Sequence, residues 1–337
     1  MSSPPKEIPL GAMRFSSDSH KLEYFNGEKW FQIHTFSPDL NGGARGIYAM
    51  AYQPTASNQM QYITIPTAGN ATDFGDLTQA RAWGGRGASR TRALWGGGTT
   101  PTKVDTIDYV TFSSTGNATD FGNRTESTTE CDGLSNQTRA LFAGGYSSGG
   151  NPGGYHNTID YVNIATTGNA VNFGDLVGRR SSQGQHGVSN SVRGFFVGGQ
   201  RPDVASNMIE YVTIATTGNA AEWGDLAGEP LNGGGWVSTA THAIGGGPND
   251  SNGIGSIDRF NFNSKGTAWE FGTMSSVMNY TAAVETPVRG VWGGDSPGTT
   301  VMEYLSMQTG GNAQDFGDLT SSFSGMRGCS NANGGLN

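Results

Sequence analysis

GNATDFGDL at 69–77 returns along the chain as GNATDFGN at 116–123, GNAVNFGDL at 168–176, GNAAEWGDL at 218–226 and GNAQDFGDL at 311–319. A degenerate copy, KGTAWEFGTM, fills 265–274. The aromatic residues of these copies are Phe74, Phe121, Phe173, Trp223, Phe271 and Phe316, at spacings of 47, 52, 50, 48 and 45 residues. Such a period is that of a propeller blade, in which four short strands form one unit that cannot bury its own faces.

Each repeat divides into four strand-like pieces. The first is short and rich in small residues, as in HGVSN at 186–190. The second begins with Arg and ends in a large apolar residue, as in RALW at 92–95, RALF at 139–142, RGFF at 193–196 and RGVW at 289–292. The third alternates with the period of two that a strand requires, over 107–112, 159–164 and 209–214. The fourth carries the aromatic-Gly-Asp-Leu. No helical period runs through ten or more residues. The Gly-Asn pairs fall between the third and fourth pieces, where a hairpin turn needs a permissive backbone. The repeated Asn and Asp residues read as turn chemistry, each side chain satisfying its own turn.

The glycine pair after an apolar strand (Gly97-Gly98, Gly144-Gly145, Gly198-Gly199), an acidic-aromatic strand and a late aromatic follow the order of kelch repeats. Over about residues 45–333 the chain resembles the kelch-like propellers. It departs from them at Met50-Ala51, which replaces the glycine pair, and in using Phe where kelch repeats have Trp. The expected fold is all-β: a six-bladed kelch-like β-propeller over 45–337, with repeats at approximately 45–89, 90–136, 137–190, 191–239, 240–285 and 286–333. The first repeat begins at Arg45 without a first strand, and the chain ends on an unpaired one at 328–331. That C-terminal strand is expected to complete the first blade and remove both open edges.

Residues 1–44 do not fit the repeat. They hold a small β-hairpin segment, with Met13, Phe15, Leu22, Tyr24, Trp30 and Phe31 as apolar residues and Asn26-Gly27 as a turn. An isolated hairpin is marginal in water, so the segment is expected to attach or assemble. Its wording, G-A-M-R-F-x-x-D-x-x-K-L-E-Y-F-N-G-x-x-W, resembles a module of bacteriophage tail-fibre and other virion structural proteins. The glycine-rich repeats are similar to those of large structural proteins of marine phages. The resemblance implies a virion component, made in the host bacterial cytoplasm, whose N-terminal segment binds other virion proteins, and a homo-oligomer such as a trimer.

Composition sets the limits. A net charge of −8 with no basic run argues against nucleic acid as a partner. No apolar stretch is long enough for membrane insertion, and the N-terminus lacks a signal core. Cys131 and Cys329 have no metal-type spacing and read as buried thiols. GxSxG, HExxH and P-loop patterns are absent, and the five histidines are scattered, with His242 where other repeats have Arg. The chain is therefore not expected to be an enzyme, nor to hold a cofactor or a metal.

The loops between the second and third pieces, and those leading to the next repeat, vary in length and content. Variable loops on a rigid scaffold are where binding is placed. The candidate ligand-binding face comprises Trp83, Tyr146, Tyr155, His156, Arg179, Arg180, Arg201, Asp203 and Asp250. A host-surface glycan or protein fits such aromatic, guanidinium and carboxylate groups. The leading expectation is a tail-fibre or spike-like receptor-binding protein. The alternatives are a purely structural capsid or tail decoration and, third, a glycan-active enzyme with clustered carboxylates in a central pocket.

Overall fold

The alternating segments become strands, and their order repeats. A computed structural model describes residues 8–16, 21–32, 44–52, 54–148, 154–202, 206–226, 233–249, 255–295 and 298–336. The chain divides into two compact units, Met1–Gly43 and Ala44–Asn337. Among the described residues, no helix is long and apolar enough to cross a membrane.

The first unit is a three-stranded antiparallel sheet of Met13–Ser16, Lys21–Phe25 and Trp30–Gln32 rather than a hairpin alone. Asn26 makes the expected turn by accepting the N–H groups of Glu28 and Lys29 at 3.0 and 2.9 Å. The extra strand arises because Met13 and Phe15 register opposite Tyr24 and Leu22. Met13, Phe15, Leu22, Tyr24 and Phe31 share one face and stay exposed. On the other face Arg14 pairs with Glu23 at 2.9 Å and lies 4.2 Å from the centre of the Trp30 ring.

The second unit is built of antiparallel sheets, mostly four-stranded. We label six of them A to F. Sheet A joins Arg327–Ser330 to Arg45–Ala49, Gln59–Thr64 and Thr72–Asp76. Sheet B holds Gly85–Ala88, Arg92–Gly96, Thr106–Thr111 and Thr119–Asn123. Sheet C holds Asp132–Ser135, Arg139–Ala143, Thr158–Asn163 and Val171–Asp175. Sheet D holds Gly187–Ser189, Arg193–Val197, Met208–Thr213 and Ala221–Asp225. Sheet E holds Gly235–Ser238, His242–Asn249, Gly255–Asn261 and Trp269–Thr273, with Gly311–Asn312 added in parallel. Sheet F holds Ala282–Glu285, Arg289–Gly293, Thr299–Ser306 and Gln314–Phe323. The C-terminal strand thus pairs with the first strand of its unit, Cys329 opposite Ile47.

The first strands of the sheets are fully buried and touch one another in cyclic order, B to C, D, E, F, A and back to B. Glycine permits that approach. A Cβ on Gly133 would fall 2.2 Å from the Arg86 backbone, and one on Gly187 would fall 2.2 Å from the Gly133 carbonyl. Larger side chains on or just before these strands reach from sheet to sheet. Arg86 Nη2 of sheet B donates to Gly187 O of sheet D at 3.0 Å. Gln185 Nε2 donates to Ala283 O at 2.7 Å, and its Oε1 accepts the N–H of Gly328 at 2.7 Å. Arg327 Nη2 reaches Ser182 O at 3.0 Å. These hydrogen bonds thus cross between sheets that are not neighbours in the cycle.

Three repeated devices join neighbouring sheets. In the first, the Gly-Asn-Ala turn lies along the fourth strand of the preceding sheet. Gly116 N donates to Phe74 O and Ala118 N to Asp76 O, both at 2.7 Å, while Asn117 Oδ1 accepts Asp76 N at 3.1 Å. Asn169, Asn219 and Asn70 make the same reach to Asn123, Asp175 and Asp318, each at 3.0 Å. This corrects the expectation that each Asn satisfies its own turn: the side chain serves the neighbouring sheet. The second device is the Arg that opens the second strand. Arg92 lies 4.8 Å from its own Tyr109 ring and donates to Ile164 O of the next sheet at 2.9 Å. Arg45, Arg139, Arg193 and Arg289 repeat this.

The third device uses a β-bulge in every third strand, which re-aims the polar side chain after it. Asp108, just past the bulge, accepts the N–H and hydroxyl of Thr78 at 3.1 and 2.7 Å. Asp160 does the same for Thr125, and Glu303 for Ser275. Arg81–Asp108 at 3.1 Å and Arg124–Asp160 at 3.2 Å are fully buried ion pairs. The carboxylates of Asp108, Asp160 and Glu303, just past the bulges, are thus spent on joints. Cys131 and Cys329 are free and buried, and burial raises the Cys329 thiol to about 12.

Candidate functional site

Two sets of connections leave the same end of the sheets: those between second and third strands, and those running from a fourth strand into the next sheet. They are stitched together by paired backbone hydrogen bonds. Ala82 and Thr99 exchange them at 3.1 and 3.0 Å, Thr129 and Tyr146 at 3.1 and 2.7 Å. Ser181 with Gln200, and Tyr52 with Ser324, do so at 2.8 to 3.0 Å. The face that varies most in sequence therefore has a fixed backbone at these stitches.

The residue after each stitch is Trp83, Glu130, Ser182 or Gly325. Ahead of sheets E and F the residues two before the first strand are Gly233 and Tyr280. Backbone hydrogen bonds link them along a rim in two arcs: Glu130 N to Trp83 O at 2.6 Å and Ser182 N to Glu130 O at 2.7 Å in one, Thr281 N to Gly233 O at 3.1 Å and Gly325 N to Tyr280 O at 3.0 Å in the other. Trp83, Glu130 and Tyr280 have φ of 57°, 53° and 58°, in the left-handed region, as Gly325 does at 64°. A residue with a side chain gives up about 1–2 kcal/mol there.

The side chains at Trp83, Glu130 and Tyr280 are half-buried, and each lies against a neighbour of its own. The Trp83 and Tyr52 rings are 4.6 Å apart at 31°. The indole lies over Gly325, where a Cβ would meet Trp83 Nε1 at 2.2 Å. The Tyr280 ring lies over Gly233, where a Cβ would meet its Cδ1 at 3.2 Å. Glu130 Oε2 accepts the Ser181 hydroxyl at 2.8 Å.

A second cluster stands on the loop of sheet C. Tyr146 and Tyr155 meet edge to face at 5.5 Å, with Lys103 Nζ 5.1 Å from the Tyr146 ring. Burial, and then the Glu130 carboxylate, raise the Tyr155 phenol above its ordinary range. His156 bridges Glu126 Oε2 through Nδ1 and Ser147 Oγ through Nε2, each at 2.7 Å. This connectivity orders a serine, a base and an orienting carboxylate. The Ser147 N–H, however, is spent on Gly154 O at 2.9 Å and is not free to bind an oxyanion.

The structure brings Trp83 to the rim and gathers Tyr146, Tyr155 and His156 beside it. It separates the arginines. Arg180 is buried, its Nη1 donating to Gly198 O at 2.7 Å, so it supports the stitched loops from beneath. Arg201 is turned inward to Glu210 at 3.3 Å, and Arg179 is half-buried. Asp203 and Asp250 lie outside the described residues. Sequence reasoning missed Tyr52, Glu130 and Tyr280. Aligning the repeats on their first strands, RAWGGRGA with TTECDGLS and MNYTAAVE, sets Glu130 and Tyr280 level with Trp83. Among the described residues, no three His, Cys, Asp or Glu side chains are grouped to hold a metal ion. No family model matches the chain, and no curated protein sequence matches it.

Proposed function

We propose that this chain is a bacteriophage virion structural protein, tail-fibre or spike-like, in which a six-bladed kelch-like β-propeller binds a host-surface receptor. The cyclic succession of first strands and the strand pairing of Cys329 with Ile47 support the six-bladed reading. The observation that carries the binding role is the contrast between the two ends of the sheets. At one end the Gly-Asn-Ala turns repeat and are consumed by their neighbours. At the other, stitched backbone holds unlike aromatic and acidic side chains half-exposed. A fixed scaffold with unlike groups at one end suits recognition. The N-terminal sheet, with its exposed Met13, Phe15, Leu22, Tyr24 and Phe31, is the assembly segment of this reading. Fluorescently labelled full chain should adsorb saturably to bacterial cells; absence of adsorption across a broad strain panel counts against the proposal.

A second reading rests on the Ser147–His156–Glu126 trio: hydrolysis of an ester on that receptor. A fluorophosphonate probe that labels Ser147 in the folded chain, and not in the His156→Gln variant, would favour it. An unlabelled chain removes it.

A further inference from the structure

We propose that the rim formed by Tyr52, Trp83, Glu130 and Tyr280 is a binding site for a pyranose sugar. The inference rests on the receptor-binding reading above and names the ligand chemistry of that face. Three neighbouring positions hold a left-handed backbone with a full side chain, at φ of 57°, 53° and 58°. Glycine would relieve that strain, and the same rim uses it at Gly325. Strain of this kind clusters at ligand-binding positions; a fourth residue with the same backbone, Met50 at 62°, is instead fully buried in the core. What the three positions present is an indole, a carboxylate and a phenol, all partly exposed.

Their arrangement selects the ligand. The two rings are laid over Gly325 and Gly233, so backbone supports them from one side. Tyr52 holds the indole further, at 4.6 Å between ring centres. A supported aromatic surface, rather than a closed apolar pocket, suits the C–H face of a sugar ring. Glu130 stands in the same rim, one backbone hydrogen bond from Trp83, and offers an acceptor for hydroxyl groups. Its Oε2 takes the Ser181 hydroxyl and its fixed direction follows from that bond. An acceptor on the same rim as the supported rings matches a molecule that is apolar on its face and polar at its edge.

The test uses the full chain on an array of immobilised glycans, with Trp83→Gly, Tyr280→Gly and Glu130→Gln beside the wild type. Both glycine variants remove a ring and relieve the backbone, so thermal unfolding controls for the fold. The expected result is binding to a pyranose-containing class, reduced about tenfold or more in each glycine variant, with cooperative unfolding retained. Glycan binding unchanged in the Trp83→Gly/Tyr280→Gly double variant overturns this site and leaves the receptor reading standing. Adsorption to cells without any glycan binding, or with loss after protease treatment of the cells, also overturns the sugar and keeps a protein receptor. Preferential binding of a choline-bearing surface overturns it in favour of a cation. No adsorption to cells at all, with no glycan bound, removes both proposals together.

Discussion

Asn70 Oδ1 accepts the backbone N–H of Asp318 at 3.0 Å, across 248 positions of sequence. The same bond from Asn117 to Asp76 spans 41 positions. Because both bonds close the same kind of joint, Asn70→Ala and Asn117→Ala should each cost about 1 kcal/mol. Urea unfolding measures this as equal shifts in midpoint at constant slope. A silent Asn70→Ala beside a costly Asn117→Ala would mean that the joint between sheets F and A is not made.

Removal of residues 325–337 deletes the strand that pairs with Arg45–Ala49 and takes Arg327 from the axis. Sheet A is left with an open edge, and its neighbours lose buried apolar contacts. The shortened chain should lose its cooperative transition in calorimetry. A sharp, unshifted transition contradicts this.

The joint between sheets E and F lacks the Arg device. His242 stands where the other sheets have Arg, and Arg259 stands where they have Tyr. His242 bonds locally to Thr241 and Asn261 instead of reaching forward. Burial, and then Arg259, lower its pKa. His242→Arg alone should therefore lose stability, because it sets two guanidinium groups side by side. Combined with Arg259→Tyr, it rebuilds the stacked pair and a bond toward Met307 O, for a gain of about 1 kcal/mol. A chemical denaturation cycle over the four proteins reads the coupling.

Two buried groups give opposite pH slopes. Burial lifts the Glu285 carboxyl from 4.5 to about 7, against Arg86 and the nearby Ser238 and Gly334 N–H groups, which draw it down. Its folded form holds the proton more tightly, so the stability it contributes is complete below 4.5 and is lost as pH rises through about 7. Burial, then Arg180 and Arg327, push His186 from 6.5 to about 3. Its contribution is complete above 6.5 and is lost as pH falls toward about 3. Between these limits each slope is about 1.4 kcal/mol per pH unit and they cancel. Glu285→Gln should leave stability rising with pH from 4.5 to 6.5, and His186→Asn should leave it falling over the same interval. Parallel, unchanged slopes in the two variants would contradict this assignment.

The strand order was legible because the pattern repeats: Phe74 and its five counterparts mark the fourth strands, and Arg45 begins a sheet that lacks its first. Direction was less legible than position. Asn117 occupies a turn, and nothing local tells its side chain to serve Asp76 rather than its own backbone. Arg180 and Trp83 sit in equally variable loops, yet one is buried beneath Gly198 and the other stands at the rim. The difference depends on which neighbours arrive from other sheets. The axis was illegible for a related reason: Arg86, Gln185 and Arg327 do not repeat, and each meets partners more than 90 positions away. In the N-terminal segment, Met13 and Phe15 gave too short an alternation to reveal the third strand.

The pairing of Cys329 with Ile47 also bears on synthesis. Sheet A emerges from the ribosome among the first parts of its unit, yet its innermost strand is among the last. Until residue 330 has left the exit tunnel, Arg45–Ala49 presents an unsatisfied edge and the nascent protein cannot finish sheet A. Completion of sheet A therefore waits on synthesis of the five other sheets, and products terminated before residue 330 carry an exposed strand edge that marks them for aggregation or degradation.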